Sequence, residues 1–135
     1  GLHPDLATTD VSLSEINAIN RANYYRPYFP TREKNAAQLL LSIRTGVCWY
    51  RGYFREDLTQ EQVDAPLDKF NAQAVVVGHT IQSKVKRSFA GRVIGIDVSH
   101  PKDYQKNWPN KQSEGLLIKG GRYYRLLHDG GREEI

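Results

Sequence analysis

The sequence predicts one α/β domain with helices in its first half and mixed or antiparallel strands in its second, and three observations carry that expectation. Capping-box spacings and helical apolar periodicity occur before Gln73. Short β-branched runs occur after it. The pair Gly120-Gly121 separates two strand-like segments as a two-residue hairpin turn would. A chain of 135 residues is the size of one domain and long enough to bury a core.

Taken in order, Ser12-Leu13-Ser14-Glu15 has the spacing of a capping box and predicts a helix to about Arg21 or Ala22. Leu13, Ile16, Ala18 and Ile19 give it a short apolar stripe. Tyr24 to Pro30 is an aromatic and proline-rich connection unsuited to regular helix. Thr31 can cap a second helix through Ala36, Ala37, Leu39, Leu40 and Leu41, ending near Arg44-Thr45-Gly46. Val47 to Tyr50 then leads into Arg51-Gly52-Tyr53. Thr59-Gln60-Glu61-Gln62 is another capping box, but Pro66 predicts a kink or two short helices between Thr59 and Phe70.

From Gln73 the pattern becomes extended. Residues 73 to 77 read as a buried strand. Lys84 to Phe89 and Arg92 to Val98 read as partners across a turn at Ala90-Gly91. Lys102 to Gln112 is a long polar loop, and Gly115 to Lys119 with Arg122 to Leu127 form the glycine hairpin. Gly130 to Ile135 reads as a frayed end.

Composition excludes several classes of function. No apolar run approaches the roughly 18 residues of a membrane-spanning helix. The single cysteine, Cys48, excludes an internal disulfide and any zinc site built on paired cysteines, and beside Trp49 and Tyr50 it reads as a buried packing thiol. Net charge is +4, compatible with an anionic partner. The basic runs Lys84, Lys86, Arg87, Arg92 and Arg122, Arg125, Arg132 carry no nucleic-acid recognition motif. Composition leaves the compartment open.

Three residues are candidates for chemistry. His79 follows the apolar run Ala74-Val75-Val76-Val77-Gly78, and ligands of open α/β sheets gather at the carboxyl ends of strands. It reads either as a metal ligand or as a histidine bonded to backbone. Asp97 ends a second strand and could hold the His79 ring, or serve as a turn residue. Arg51 lies in Trp49-Tyr50-Arg51-Gly52-Tyr53. It reads either as a phosphate clamp or as an arginine stacked between surface aromatics.

These residues resemble a known family. Val75-Val76-Val77-Gly78-His79-Thr80 followed by Val93-Ile94-Gly95-Ile96-Asp97 resembles the C-terminal half of the calcineurin-like metallophosphoesterases, in the bacterial serine/threonine phosphoprotein phosphatase type. Gly1 to Leu6 is similar to the segment after that family's His-Gly metal motif. Gly46 to Tyr53 is similar to its bacterial Trp-Tyr-Arg-Gly-Tyr element, and the terminal hairpin to its last strands. Two departures stand out. Val47-Cys48 replaces an expected Pro-Leu, and the Asp-x-His, Gly-Asp and Gly-Asn-His elements are absent from these residues.

The resemblance implies that residues 1–135 form the C-terminal portion of a two-sheet sandwich whose N-terminal half lies outside this chain. It implies that His79 ligates one of two divalent metal ions, Mn, Fe, Zn or Mg, and that Arg51 binds the phosphate of a phosphoprotein or small phosphomonoester. One histidine cannot hold a catalytic metal pair, so these residues alone are expected to bind no such pair and to hydrolyse nothing. An uncovered sheet face would favour self-association. Two other functions fit the same residues: a basic non-catalytic module for an anionic partner, and a dinucleoside polyphosphate hydrolase.

Overall fold

A computed structural model describes residues 1–23, 36–98 and 113–135, which fall into two compact units, 1–75 and 76–135. The first is helical and the second is built of strands, so the predicted α/β segregation is present. The expectations for Tyr24–Pro30, for the Thr31 cap and for the Lys102–Gln112 loop lie outside the described residues.

The first unit opens with a 3-10 turn, Pro4–Thr8, started by Pro4 and capped by His3 Nδ1, which accepts from the Asp5 N–H at 3.2 Å. Helix α1 spans Leu13–Asn23, and the predicted capping box is present. Ser12 N–H donates to Glu15 Oε2 at 2.8 Å, and Glu15 N–H donates to Ser12 Oγ at 3.3 Å. Leu6, Ile16 and Leu40 form the core of the unit, with Leu2, Val11, Ile19, Leu39, Val47 and Phe70 packed against it. Leu13 is an exception to the expected stripe, since it is exposed.

Helix α2, Ala36–Leu41, stops before the predicted Arg44. The Thr45 hydroxyl donates to the Leu39 carbonyl at 2.8 Å, and Gly46 N–H returns to the Ser42 carbonyl at 2.8 Å, so the chain turns back on the helix end. Helix α3 is the single turn Gly52–Arg55. Helix α4, Gln60–Lys69, has its capping box at Thr59 and continues through Pro66, which corrects the predicted alternative of two short helices. Proline removes one N–H from the ladder, but Val63, Pro66 and Leu67 all lie on the buried face, and their burial offsets that loss. Lys69 at the end of α4 donates to the carbonyls of Leu6 and Thr9 and to the Thr9 hydroxyl, tying α4 to the 3-10 turn.

The second unit holds two three-stranded sheets. One has the order β1-β3-β2, from β1 Val75–Val77, β2 Lys86–Ser88 and β3 Val93–Gly95. Strands β2 and β3 are antiparallel, with Arg87 opposite Ile94, across a turn in which Phe89, Ala90 and Gly91 all have positive φ. Strand β3 is buried throughout, but Val76 of β1 is 42% exposed, so the expected buried strand is covered only at Val77. The other sheet is antiparallel in the order β4-β5-β6, from β4 Gly115–Lys119, β5 Arg122–Leu126 and β6 Arg132–Glu134. Gly120 and Gly121, with φ of 59° and 74°, make the two-residue turn that its sequence predicts.

The chain end is a third strand and not frayed. Glu134 accepts from Arg122 Nε at 2.8 Å, Glu133 pairs with Arg125, and Ile135 N–H donates to the Tyr123 carbonyl at 3.0 Å. Among the described residues no helix is long and apolar enough to cross a membrane.

Candidate functional site

Each unit carries one of the two predicted site residues, and each site is built from its own elements. In the first unit, Arg51 sits at the N-cap of α3 with φ −125° and ψ 11°, and its carbonyl accepts from Phe54 N–H at 3.0 Å. Its neighbours Tyr50, Gly52 and Tyr53 are buried. The Tyr53 hydroxyl donates to the Leu2 carbonyl and accepts from the Leu2 N–H, each at 2.9 Å. The Tyr50 ring meets His3 edge-on at 4.9 Å and Tyr53 at 5.3 Å.

These aromatics therefore fix the backbone on either side of Arg51. Gly52 has a steric reason as well: a Cβ there would stand 2.0 Å from the Tyr50 hydroxyl and 2.3 Å from its Cζ.

Burial pushes the Tyr53 phenol up to about 12, and burial with the nearby Glu56 carboxylate raises Tyr50 as well. In the unfolded chain both would titrate at about 10. The folded state thus favours the neutral phenols, and that contribution is complete below about pH 10 and lost as pH rises towards 12. The thermal midpoint is expected to fall between pH 10 and pH 12. Tyr53→Phe should lower the midpoint at pH 8, through the lost Leu2 hydrogen bonds, and make the alkaline fall shallower. An unchanged alkaline slope in that variant would show that Tyr53 does not carry the effect.

Arg51 lines an open cleft of about 440 Å³ with Ile43, Arg44, Trp49, Gly52, Arg55 and Glu56. Sequence reasoning placed only Arg51 here. Arg55 stands four residues on, across the single turn of α3, a spacing that sets two side chains on one face. Arg44 arrives through the turn closed at Gly46, whose carbonyl accepts from Trp49 and Tyr50 N–H, both at 2.8 Å. Cys48 in that turn is exposed, contrary to the expected buried thiol, because the adjoining aromatic that packs inward is Tyr50 and not Trp49.

In the second unit, His79 follows β1 with φ 61°, the left-handed region that histidine enters more readily than most residues. It is exposed in the turn, while the Thr80 hydroxyl beside it is buried with no hydrogen-bond partner among the described residues. Ile96 N–H donates to the Val77 carbonyl at 3.0 Å, so His79 and Asp97 both leave the sheet close to that contact. Asp97 contributes through its backbone, its carbonyl accepting from Gln82 N–H at 2.7 Å. The position of His79 at a strand end suits a ligand. A catalytic ion needs more, and among the described residues no three His, Cys, Asp or Glu side chains come together to hold one.

No protein-family model and no curated protein matches the chain. Solved structures do. The cold-active protein-tyrosine phosphatase of the psychrophile Shewanella sp. matches with a TM-score of 0.77 and 32% identity, over 99% of this chain and 38% of that one. A 1.1 Å structure of a cold-active protein tyrosine phosphatase gives the same TM-score and identity, over 99% of this chain and 37% of that one. These neighbours are named for phosphotyrosine, whereas the family resemblance points to the serine/threonine type. The chain is thus similar, along nearly its whole length, to 38% of a bacterial phosphatase.

Proposed function

We propose that this chain is the C-terminal part of a phosphatase of the calcineurin-like metallophosphoesterase type, acting on phosphomonoesters, phosphotyrosine among them. The observation that carries the reading is likeness to a phosphatase at 32% identity over 99% of the chain. The ordered elements around Arg51 and His79 support the finer assignment. Arg51 is the residue we assign to the substrate phosphate, since its planar fork can engage two phosphate oxygens at once. His79 is assigned as one ligand, its companions coming from outside the described residues. Bound divalent ions in such a centre supply an activated water and neutralise charge on the phosphoryl group. The chain's own contributions are to orient the phosphate through Arg51 and to present an imidazole at the end of β1.

The test is His79→Ala in the full-length protein, with phenyl phosphate hydrolysis followed across added divalent metals. Groups one layer beyond metal ligands already cost about 10- to 100-fold when removed, so kcat is expected to fall at least about 100-fold. His79 is exposed but has a φ of 61°, which alanine adopts less readily, so the thermal midpoint should fall modestly with the fold retained. Full activity in the variant, or a wild-type activity indifferent to chelators, would remove the metal assignment. Collapse of the fold would return His79 to a structural role.

A further inference from the structure

The cleft beside α3 holds more positive charge than one phosphate requires. Arg44, Arg51 and Arg55 line it against a single acid, Glu56, whose carboxylate already accepts from the Tyr50 hydroxyl at 3.4 Å. No acidic side chain among the described residues pairs with any of these three guanidiniums. In the second unit, by contrast, Arg122 pairs with Glu134 and Arg125 lies between Glu114 and Glu133. Three guanidiniums thus line one cleft with a single carboxylate among its lining residues, an arrangement that attracts an anion.

Burial divides the three. Arg51 is half-buried at the N-cap of α3, whereas Arg44 and Arg55 are exposed at the rim. Trp49 and Ile43, 50% and 59% exposed, add apolar surface to the lining of the same cleft.

We propose that Arg44 and Arg55 form a second anionic subsite, which takes an acidic side chain flanking the phosphorylated residue of a peptide, while the Arg51 guanidinium takes the phosphate and Trp49 the ring between them. The proposal rests on the phosphatase reading for the role of Arg51, but not for those of Arg44 and Arg55. A peptide is favoured because the rim arginines face solvent, where the neighbouring residues of a bound chain would lie. The pairs are exposed, so each contributes modestly and is screened by salt.

The experiment uses this chain with Trp108→Phe, so that Trp49 is the fluorescent reporter in the cleft. Two synthetic phosphotyrosine peptides are titrated at low salt, one with Asp and Glu on both sides of the phosphotyrosine and one with Asn and Gln in their place. The acidic peptide is expected to bind about five-fold tighter. In the Arg44→Gln/Arg55→Gln variant that preference should shrink to less than about two-fold. Both substitutions are on exposed side chains, so the fold is retained, with circular dichroism as the check.

Equal affinity for the two peptides in the parent chain, or a preference that survives the double substitution, overturns the proposal. Arg51→Gln separates the two readings. It should weaken both peptides alike. If it weakens neither while the acidic preference persists, the phosphate assignment of Arg51 fails and the rim subsite stands.

Discussion

Replacing Gly52 with alanine is expected to destabilise the first unit by about 1–3 kcal/mol or more, among the largest effects of any single methyl group added to this chain. The new Cβ would lie 2.0, 2.3 and 2.6 Å from the Tyr50 hydroxyl, Cζ and Cε2. A flexible side chain could step aside, but the Tyr50 ring is buried and held edge-on between His3 and Tyr53. Either the ring leaves its site or the α3 turn shifts. Both outcomes move Arg51, so anion binding in the cleft should weaken together with stability.

Urea unfolding of Gly52→Ala provides the measurement, with Gly78→Ala as its control. Nothing lies within 4 Å of a Cβ at Gly78, and a change there should stay within about 0.5 kcal/mol. In a Tyr50→Ala background, where the obstructing ring is gone, Gly52→Ala should cost far less. An equal cost in both backgrounds would mean that the glycine is needed for backbone freedom and not for room.

Leu6→Ala is expected to cost about 2–5 kcal/mol. Leu6 is 0% exposed and sits with Ile16 and Leu40 at the centre of the first core, where truncation opens a cavity that the rigid surroundings cannot fill. Those surroundings are rigid because the same residue's carbonyl accepts from Lys69 Nζ, from the Thr9 hydroxyl and from the Thr9 N–H. The backbone is thus pinned where the side chain is removed. A lower urea midpoint at unchanged m-value is the expected signature, and a loss below about 1 kcal/mol would show that the 3-10 turn relaxes into the gap.

Much of the fold was legible because its signals are local. The two capping boxes at Ser12 and Thr59 and the Gly120-Gly121 turn are decided within four residues, and all three are present as read. The site was legible only in part. Arg51 and His79 were drawn out by short motifs, and the structure places one on an arginine-lined cleft and the other in a left-handed turn at a strand end. Arg44 and Arg55 carry no motif of their own. Their only prior sign was spacing around the Trp-Tyr-Arg-Gly-Tyr element, which has meaning once α3 is known to be a helical turn.

The sequence by itself determined where α1 and α4 start and where the glycine hairpin turns, since each of these follows from the reach of one side chain or the φ of one glycine. The change of apolar periodicity at Gln73 indicated that helices precede strands. Tertiary structure decided the rest, wherever a local preference met a distant contact. Pro66 stays inside a continuous α4 because the face it shares with Val63 and Leu67 is buried. The polar end of the chain forms strand β6, Arg132–Glu134, where Arg122 and Arg125 meet Glu134 and Glu133 across the sheet. Cys48 and Trp49 face solvent while Tyr50 faces the core, a choice made by His3 and Tyr53. The same choice gathers three arginines around one cleft: charge can be counted from a sequence, but only packing decides which charges share a wall.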